Sequence, residues 1–299
     1  MKLEQSVRLS ELSADLSFEI LYDNTFERIG SLGTEDRATL ATLYDAAYLD
    51  EARGNENLTC VITTSELAAF LPERLGIVIS DSPEQAFYDV DRWLADNERY
   101  EKNFDTVIGS GCDIQATVII PDRNVRIGNN VTIAHNVVIH EHTDIGDGSI
   151  IRAGSIIGSD GFEKRHNREE PLAPHTGGVS IGNHVEVQAL CAVERGMCGV
   201  RTRLDDYSRI GSQTYISHNV LVGKGTQIAP GVSVCGSTTI GEDIWIAPGA
   251  IISNGLTIGD GAFVTLGETL IRNLEAGHVS VGGRSISKER YEKLVSGLR

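Results

Sequence analysis

The 299-residue chain is 40% hydrophobic and carries 42 acidic against 26 basic side chains, a formal net charge of −16. That is ample material for a core in one large or two modest domains, and so acidic a chain repels a phosphate backbone, which excludes nucleic acid as a partner. "MKLEQSVRLSELSADL" lacks the basic start and apolar run of a signal peptide, and no apolar stretch reaches the roughly 18 residues of a membrane span, so a cytoplasmic protein without a transmembrane segment is expected.

Residues 1–100 show no long repeat. "VRLSELSADL" (7–16) and "TSELAAFLPERL" (64–75) have helical spacing, while "TCVITT" (59–64) and "GIVIS" (76–80) are runs of strand length, which predicts a small α/β domain. A helix follows. Ser82 is placed to cap it, Pro83 suits the first turn, Gln85 completes a capping box, and Ala86, Phe87, Val90 and Leu94 share an apolar face.

Beyond residue 100 an apolar residue returns every six positions: Ile127, Ile133, Ile139, Ile145, Ile151 and Ile157, then Ile181, Val187 and Val193, then an unbroken series from Leu204 to Leu270. A shorter run, Ile108, Ile114 and Ile120, precedes it with a one-residue slip. A period of six fits neither an α-helix nor a simple alternating strand, but it fits a coil of three short strands joined by tight turns. Glycine often follows the anchor, as in "IGNN", "IGDG", "IGNH" and "IGED", where a turn is expected to need positive φ. About 24 hexapeptides at three per coil give roughly eight coils, stacked at about 4.8 Å into a prism on the order of 38 Å tall.

Two segments leave the register. "SDGFEKRHNREEPLAPHTGG" (159–178) is polar and is expected to loop out of the coil, where loops carried by rigid scaffolds often hold function. "ERGMCGVRTR" (194–203) is read either as a functional insertion or as a tolerated bulge. After residue 283 the tail "RSISKERYEKLVSGLR" is basic, with Arg284, Lys288, Arg290, Lys293 and Arg299 against Glu289 and Glu292; it is read as a helix that either holds an acidic or phosphorylated donor or is simply solvated. The five cysteines form no C-x-x-C pair and are expected to be buried thiols.

"TYISHNVLVG" (214–223) nearly repeats "VTIAHNVVIH" (131–140), so His218 and His135 compete for a catalytic role. With three hexapeptides to a coil, His218 stacks on Gly236. An imidazole beside a glycine N–H suits acyl transfer, the ring taking a proton from an attacking amine and the N–H steadying the oxyanion. The bland alternative is an inert surface histidine.

"SDGF", "HTGGVSIGNHVEV", "ERG", "YISHNVLVG" and "CGSTTIG", with "RLSELSADL", "NLTCVITTSELAAFLP" and "DSPEQAFYDV" upstream, resemble the UDP-3-O-acylglucosamine N-acyltransferase family of lipid A biosynthesis across nearly the whole chain. The resemblance implies a mainly β fold: a left-handed parallel β-helix of hexapeptide repeats over 101–283 with the loop 159–178, a uridine-recognising α/β domain with linker helix over 1–100, and a helical tail over 284–299. It implies a homotrimer, a nucleotide-linked amino sugar as acceptor, and an acyl carrier protein or coenzyme A thioester as cosubstrate, with no bound cofactor and no metal. His218 takes the place of the family's general base and Gly236 that of its oxyanion glycine. His135 stands where the family has ordinary coils.

Tyr48 matches a tyrosine that holds the uracil ring, with Asp45 beside it, but the aromatic partner six residues earlier is Thr42 here. Glu194 occupies the acidic place of a D-R-G triplet and either positions the substrate amine or is a solvated carboxylate, Phe162 is what remains of a D-G-F-G-F loop, and Asn219 either orients His218 or fills a turn. A second family histidine, in an N-G-H stretch, is missing from "SNGLTIG". These departures imply a divergent relative acting on another nucleotide-linked amino sugar, such as one made for a surface polysaccharide. Two other classes compete: a nucleotide-sugar-binding scaffold without catalysis, and a zinc enzyme resembling γ-class carbonic anhydrases through His135, His140 and His142.

Overall fold

A computed structural model describes residues 2–100, 103–162 and 174–296. They form two compact units: residues 2–100 with 174–177 and 197–200, and residues 103–162 with 178–196 and 201–296.

The first unit holds a five-stranded sheet in the order Glu19–Tyr22, Gly76–Ile79, Leu58–Thr63, Thr39–Leu43, Arg28–Ile29. The Glu19–Tyr22 strand is antiparallel to its neighbour and the rest are parallel. The Pro83–Asp96 helix buries Ala86, Phe87, Val90 and Leu94, together with Trp93, against Leu9, Leu12, Leu40 and Ile62. Its expected capping box does not form. The Ser82 N–H donates to Ser80 Oγ (3.1 Å), and the Gln85 amide turns along the helix to donate to Asp89 Oδ1 (3.0 Å). With the cap N–H already held by Ser80, Gln85 has no donor to reach back for.

On the same helix Asp91 is fully buried. Its Oδ1 accepts from the Tyr100 hydroxyl and from Thr176 Oγ1 (2.7 Å), and Thr176 Oγ1 accepts the Gly199 N–H (2.8 Å). Met197 and Cys198 join the unit's core. The irregular segment 194–203 is thus partly core material of the N-terminal unit, which six-residue counting cannot reveal.

The second unit is a coil of parallel sheets of two- to four-residue strands, containing eight, seven and ten strands; the ten include a C-terminal hairpin of His278–Val281 with Arg284–Ser287. In the Ile139 column the register runs Ile139, Ile157, Val193, Ile216, Val234, Ile252, Leu270. Successive anchors in this column stand three hexapeptides apart except across the two insertions, from Ile157 to Val193 and from Val193 to Ile216, where the step lengthens. The anchors point inward and stack into one continuous buried core. β-branched side chains fit such a pleated stack because their rotamers are already restricted.

In the "IGNN", "IGDG", "IGNH" and "IGED" stretches the glycines after the anchors, Gly128, Gly146, Gly182 and Gly241, do not take positive φ; the residues two further on do, Asn130, Gly148, His184 and Asp243. The reason for Gly128 and Gly146 is close approach. A Cβ on Gly128 would stand 2.8 Å from Asp147 N, and one on Gly146 2.6 Å from Gly182 C, in the next coil. Cys60, Cys191 and Cys198 are buried, while Cys112 and Cys235 are half-buried.

Candidate active site

His218 follows the Tyr215–Ile216 strand, whose next-coil partner is Ser233–Val234. That register brings its ring onto Gly236: a Cβ there would lie 2.5 Å from His218 Cε1 and 2.6 Å from Nε2. Only a glycine admits the ring this closely. The Ser237 N–H donates to the His218 carbonyl (2.9 Å) and the Gly255 N–H to the Gly236 carbonyl (3.0 Å), so both residues sit on fixed backbone. The Gly236 N–H donates to no described group.

Glu194 reaches the same strand from the previous coil. Its carboxylate is 5% exposed and accepts from the Tyr215 hydroxyl (2.6 Å), Ser217 Oγ (2.8 Å) and the His218 N–H (3.2 Å). Burial, then the bond to Glu194, pushes the Tyr215 phenol up to about 12, so it remains a donor at neutral pH. A Cβ on Gly161 would run into Glu194 Oε2, so the carboxylate lies against the root of the 159–178 loop. Sequence reasoning does not single out Tyr215, Ser217 and Gly161. "YIS" before the histidine is the available signal, but no pattern pairs it with a glutamate on the far side of an insertion.

Phe162 projects from the loop root, 84% exposed. Residues 163–173 of the 159–178 loop lie outside the described residues. At the root Arg195 Nε lies 3.0 Å from both the Gly158 carbonyl and Asp160 Oδ1. His140 and His142 are held below the ordinary histidine value, first by burial and then by Arg195. Asn219 stands at φ +58° with its N–H on Thr202 Oγ1 (3.0 Å), the arrangement Asn136 makes with Thr117 Oγ1 (2.9 Å), so it shares the turn geometry of an ordinary coil.

His135 is exposed, with Nδ1 3.1 Å from Thr117 Oγ1. Its stacked partner is Ala153, not a glycine. His135, His140 and His142 do not converge: among the described residues no group of three or more His, Cys, Asp or Glu is placed to hold a metal ion. In "SNGLTIG", Gly255 takes φ +69° at a turn and Leu256 packs against the core.

In the N-terminal unit Tyr48 ends a short 3-10 turn, Ala46–Tyr48, and is 51% exposed. Asp45 Oδ1 caps that turn by accepting the Ala47 N–H (2.8 Å). Thr42 turns its hydroxyl to the Ile62 carbonyl (3.4 Å), while Tyr44 is exposed beside Tyr48. Burial, followed by Glu84, Tyr48 and Asp45, raises the Tyr44 phenol. In the tail Lys293 is paired with Glu289; Arg299 lies outside the described residues.

A family model described as bacterial transferase hexapeptide (six repeats) matches residues 124–159. The chain is 30% identical to UDP-3-O-acylglucosamine N-acyltransferase 2 of Legionella pneumophila (strain Paris), over 98% of this chain and 93% of that protein. An 83-residue stretch, 27% of this chain and 24% of the relative, is 43% identical to UDP-3-O-acylglucosamine N-acyltransferase of Shewanella denitrificans. Two solved structures share the fold: a UDP-N-acetylglucosamine acyltransferase (TM-score 0.54, 18% identity, 64% of this chain and 77% of that one) and the Arabidopsis UDP-N-acetylglucosamine acyltransferase (TM-score 0.51, 15% identity, 65% and 74%). With a relative matched at 30% identity from end to end, and a coil of hexapeptides beneath it, the chain belongs to the UDP-3-O-acylglucosamine N-acyltransferase family of hexapeptide acyltransferases.

Proposed function

We propose that the protein transfers an acyl group from an acyl carrier protein thioester to the amino group of a UDP-linked 3-O-acylglucosamine in lipid A biosynthesis, with His218 as general base. The observation that carries this is the His218 ring seated on Gly236, in a chain matched from end to end by an N-acyltransferase acting on that class of acceptor. A ring nitrogen of His218 takes a proton from the amine as its nitrogen attacks the thioester carbonyl. The C–N bond forms, and the tetrahedral oxyanion accepts from the Gly236 N–H. Collapse breaks the C–S bond, and the imidazolium returns its proton to the departing sulfur. The products are an amide and a carrier thiol, with no cofactor consumed.

Tyr48 and Asp45 are assigned to the nucleotide, Phe162 to the substrate entering beneath the loop, and Glu194 and Asn219 to holding the His218 turn. Thr42 in place of an aromatic residue and the missing histidine of "SNGLTIG" favour a second reading, in which the acceptor is a different nucleotide-linked amino sugar. Exposed outward-facing residues on the coil, Ile156, Trp245 and Ile251, are offered as surface for a homotrimer. No helix among the described residues is long and apolar enough to cross a membrane. Such a reaction belongs in the cytoplasm, where nucleotide sugars and carrier thioesters are made.

The test is a transfer assay offering 3-hydroxyacyl carrier protein and acyl-CoA against UDP- and dTDP-amino sugars. Wild type should acylate the UDP-linked 3-O-acylglucosamine, and His218→Ala should be slower by about a hundredfold or more. Transfer to a different sugar alone would establish the second reading, and equal rates in both proteins would remove His218 from the chemistry.

A further inference from the structure

At the C-terminal end of the coil unit, the Thr269–Leu270 strand with residues 271–274, the His278–Val281 and Arg284–Ser287 hairpin and the Lys288–Ser296 helix border an open cavity of about 780 Å³. Pockets for small molecules span this size. The cavity is three coils along from the His218 strand, through Ser233–Val234 and Ile251–Ile252 to Thr269–Leu270, about 14 Å at the usual strand spacing. It is separate from the transfer site.

Its lining divides by chemistry. Leu270 and Leu274 are buried, whereas Ile271 and Leu294 are left 67% and 54% exposed. Arg272, Arg284 and Arg290 also line it and are exposed. Elsewhere in the coil unit Arg126, Arg152, Arg195, Arg201, Arg203 and Arg209 each pair with a carboxylate. None of the three cavity arginines pairs with a described carboxylate. The one acidic residue among the described lining, Glu268, is 7% exposed, and its oxygens accept from the Gly282 N–H (2.9 Å), the Gly283 N–H (2.7 Å) and Ser280 Oγ (3.3 Å). A chain of net charge −16 therefore gathers three guanidinium groups, none of them paired with a described carboxylate, around apolar surface at the end of the coil.

We propose that this cavity is a binding site for a single-chain anionic amphiphile, a fatty carboxylate, independent of the acyl-transfer site. The guanidinium forks match a carboxylate in plane and in charge, and Ile271, Leu294 and the buried leucines take the chain. Phosphate alone would satisfy the arginines and leave the apolar walls in water; a neutral amphiphile would do the reverse. Only a molecule with both parts fits.

The test is calorimetric titration of the full-length protein with dodecanoate, kept below its aggregation concentration. One site is expected, tightening severalfold for each methylene from octanoate to dodecanoate. Arg284→Glu/Arg290→Glu should weaken it at least tenfold, Arg284→Lys/Arg290→Lys should keep most of it, and Ile271→Ser/Leu294→Ser should flatten the dependence on chain length. All of these positions are exposed, and the lysine pair keeps the charge if the glutamate pair disturbs the fold. His218→Ala should bind as wild type does, whatever becomes of its transfer activity. Equal binding of inorganic phosphate or of dodecyl maltoside, dodecanoate affinity unchanged by the glutamate pair, or no binding at all would overturn the assignment.

Discussion

A methyl group on Gly236 would meet three atoms of the His218 ring and nothing else that close. The backbone at 236 is not in the left-handed region, so Gly236→Ala should fold normally while pushing the imidazole off its seat. Gly255, at φ +69° with open space where a Cβ would stand, is the converse: Gly255→Ala should cost about 1–2 kcal/mol of stability and leave the rate per folded molecule unchanged. Thermal midpoints and transfer rates for the two variants separate the effects, with the rate expected to fall on the order of a hundredfold for Gly236→Ala alone. Tyr215→Phe keeps the ring and removes one of three donors to a buried carboxylate. It should destabilise the protein by about 1–3 kcal/mol, measured by denaturant unfolding, and Glu194→Gln in the same background should recover part of that loss because a neutral amide is less costly to leave under-bonded.

At the scale of the element, what can be read in advance follows from translation. His218 and Gly236 are legible as a pair because an uninterrupted coil repeats every three hexapeptides, and so is the contrast with His135, which stacks on Ala153. Glu194 can be nominated but not joined to Tyr215 and Ser217, because the insertion lengthens that step and breaks the counting rule at the point where it matters. The Thr39–Leu43 and Glu19–Tyr22 strands escape a sequence reading because their apolar residues do not alternate cleanly, and pairing partners far along the chain decide their conformation. The capping box fails on one serine, Ser80, whose hydroxyl reaches the helix entry first. Both insertions meet at Arg195, which binds the Gly158 carbonyl and Asp160 and bears on His140 and His142. Arg195→Gln should therefore raise both histidine values while leaving them below the ordinary one, since burial, the larger cause, persists. Histidine resonances followed by NMR across pH 5–8 would show this, and unmoved titrations would detach Arg195 from the loop root.

On the scale of the whole molecule, the two units have separate cores and different titratable groups within them. In the coil unit the depressed His140 and His142 favour folding while neutral, a contribution present above the ordinary histidine value and lost as pH falls through the lower folded one. In the N-terminal unit Asp91 acts in the opposite sense. Burial raises its carboxyl above the usual value despite the Tyr100 and Thr176 hydroxyls, so the folded state prefers it protonated. That contribution is complete below the ordinary aspartate range and is lost as pH rises through the raised value. Asp91→Asn keeps an acceptor for both hydroxyls and never ionises, so its stability relative to wild type should improve as pH rises from about 4 and level off once Asp91 is charged. Any fixed penalty of the amide beside Cys198 is independent of pH, which makes the slope the readout and not the level. The chain's two tryptophans make the measurement local: Trp93 lies on the Asp91 helix and Trp245 on the coil, so Trp245→Phe leaves a fluorophore that reports the N-terminal unit alone. Parallel stability curves with and without Asp91→Asn in that background, from pH 4 to 8, would mean that Asp91 titrates no differently folded than unfolded; diverging curves would locate the acid-side gain of this unit in a single buried carboxyl.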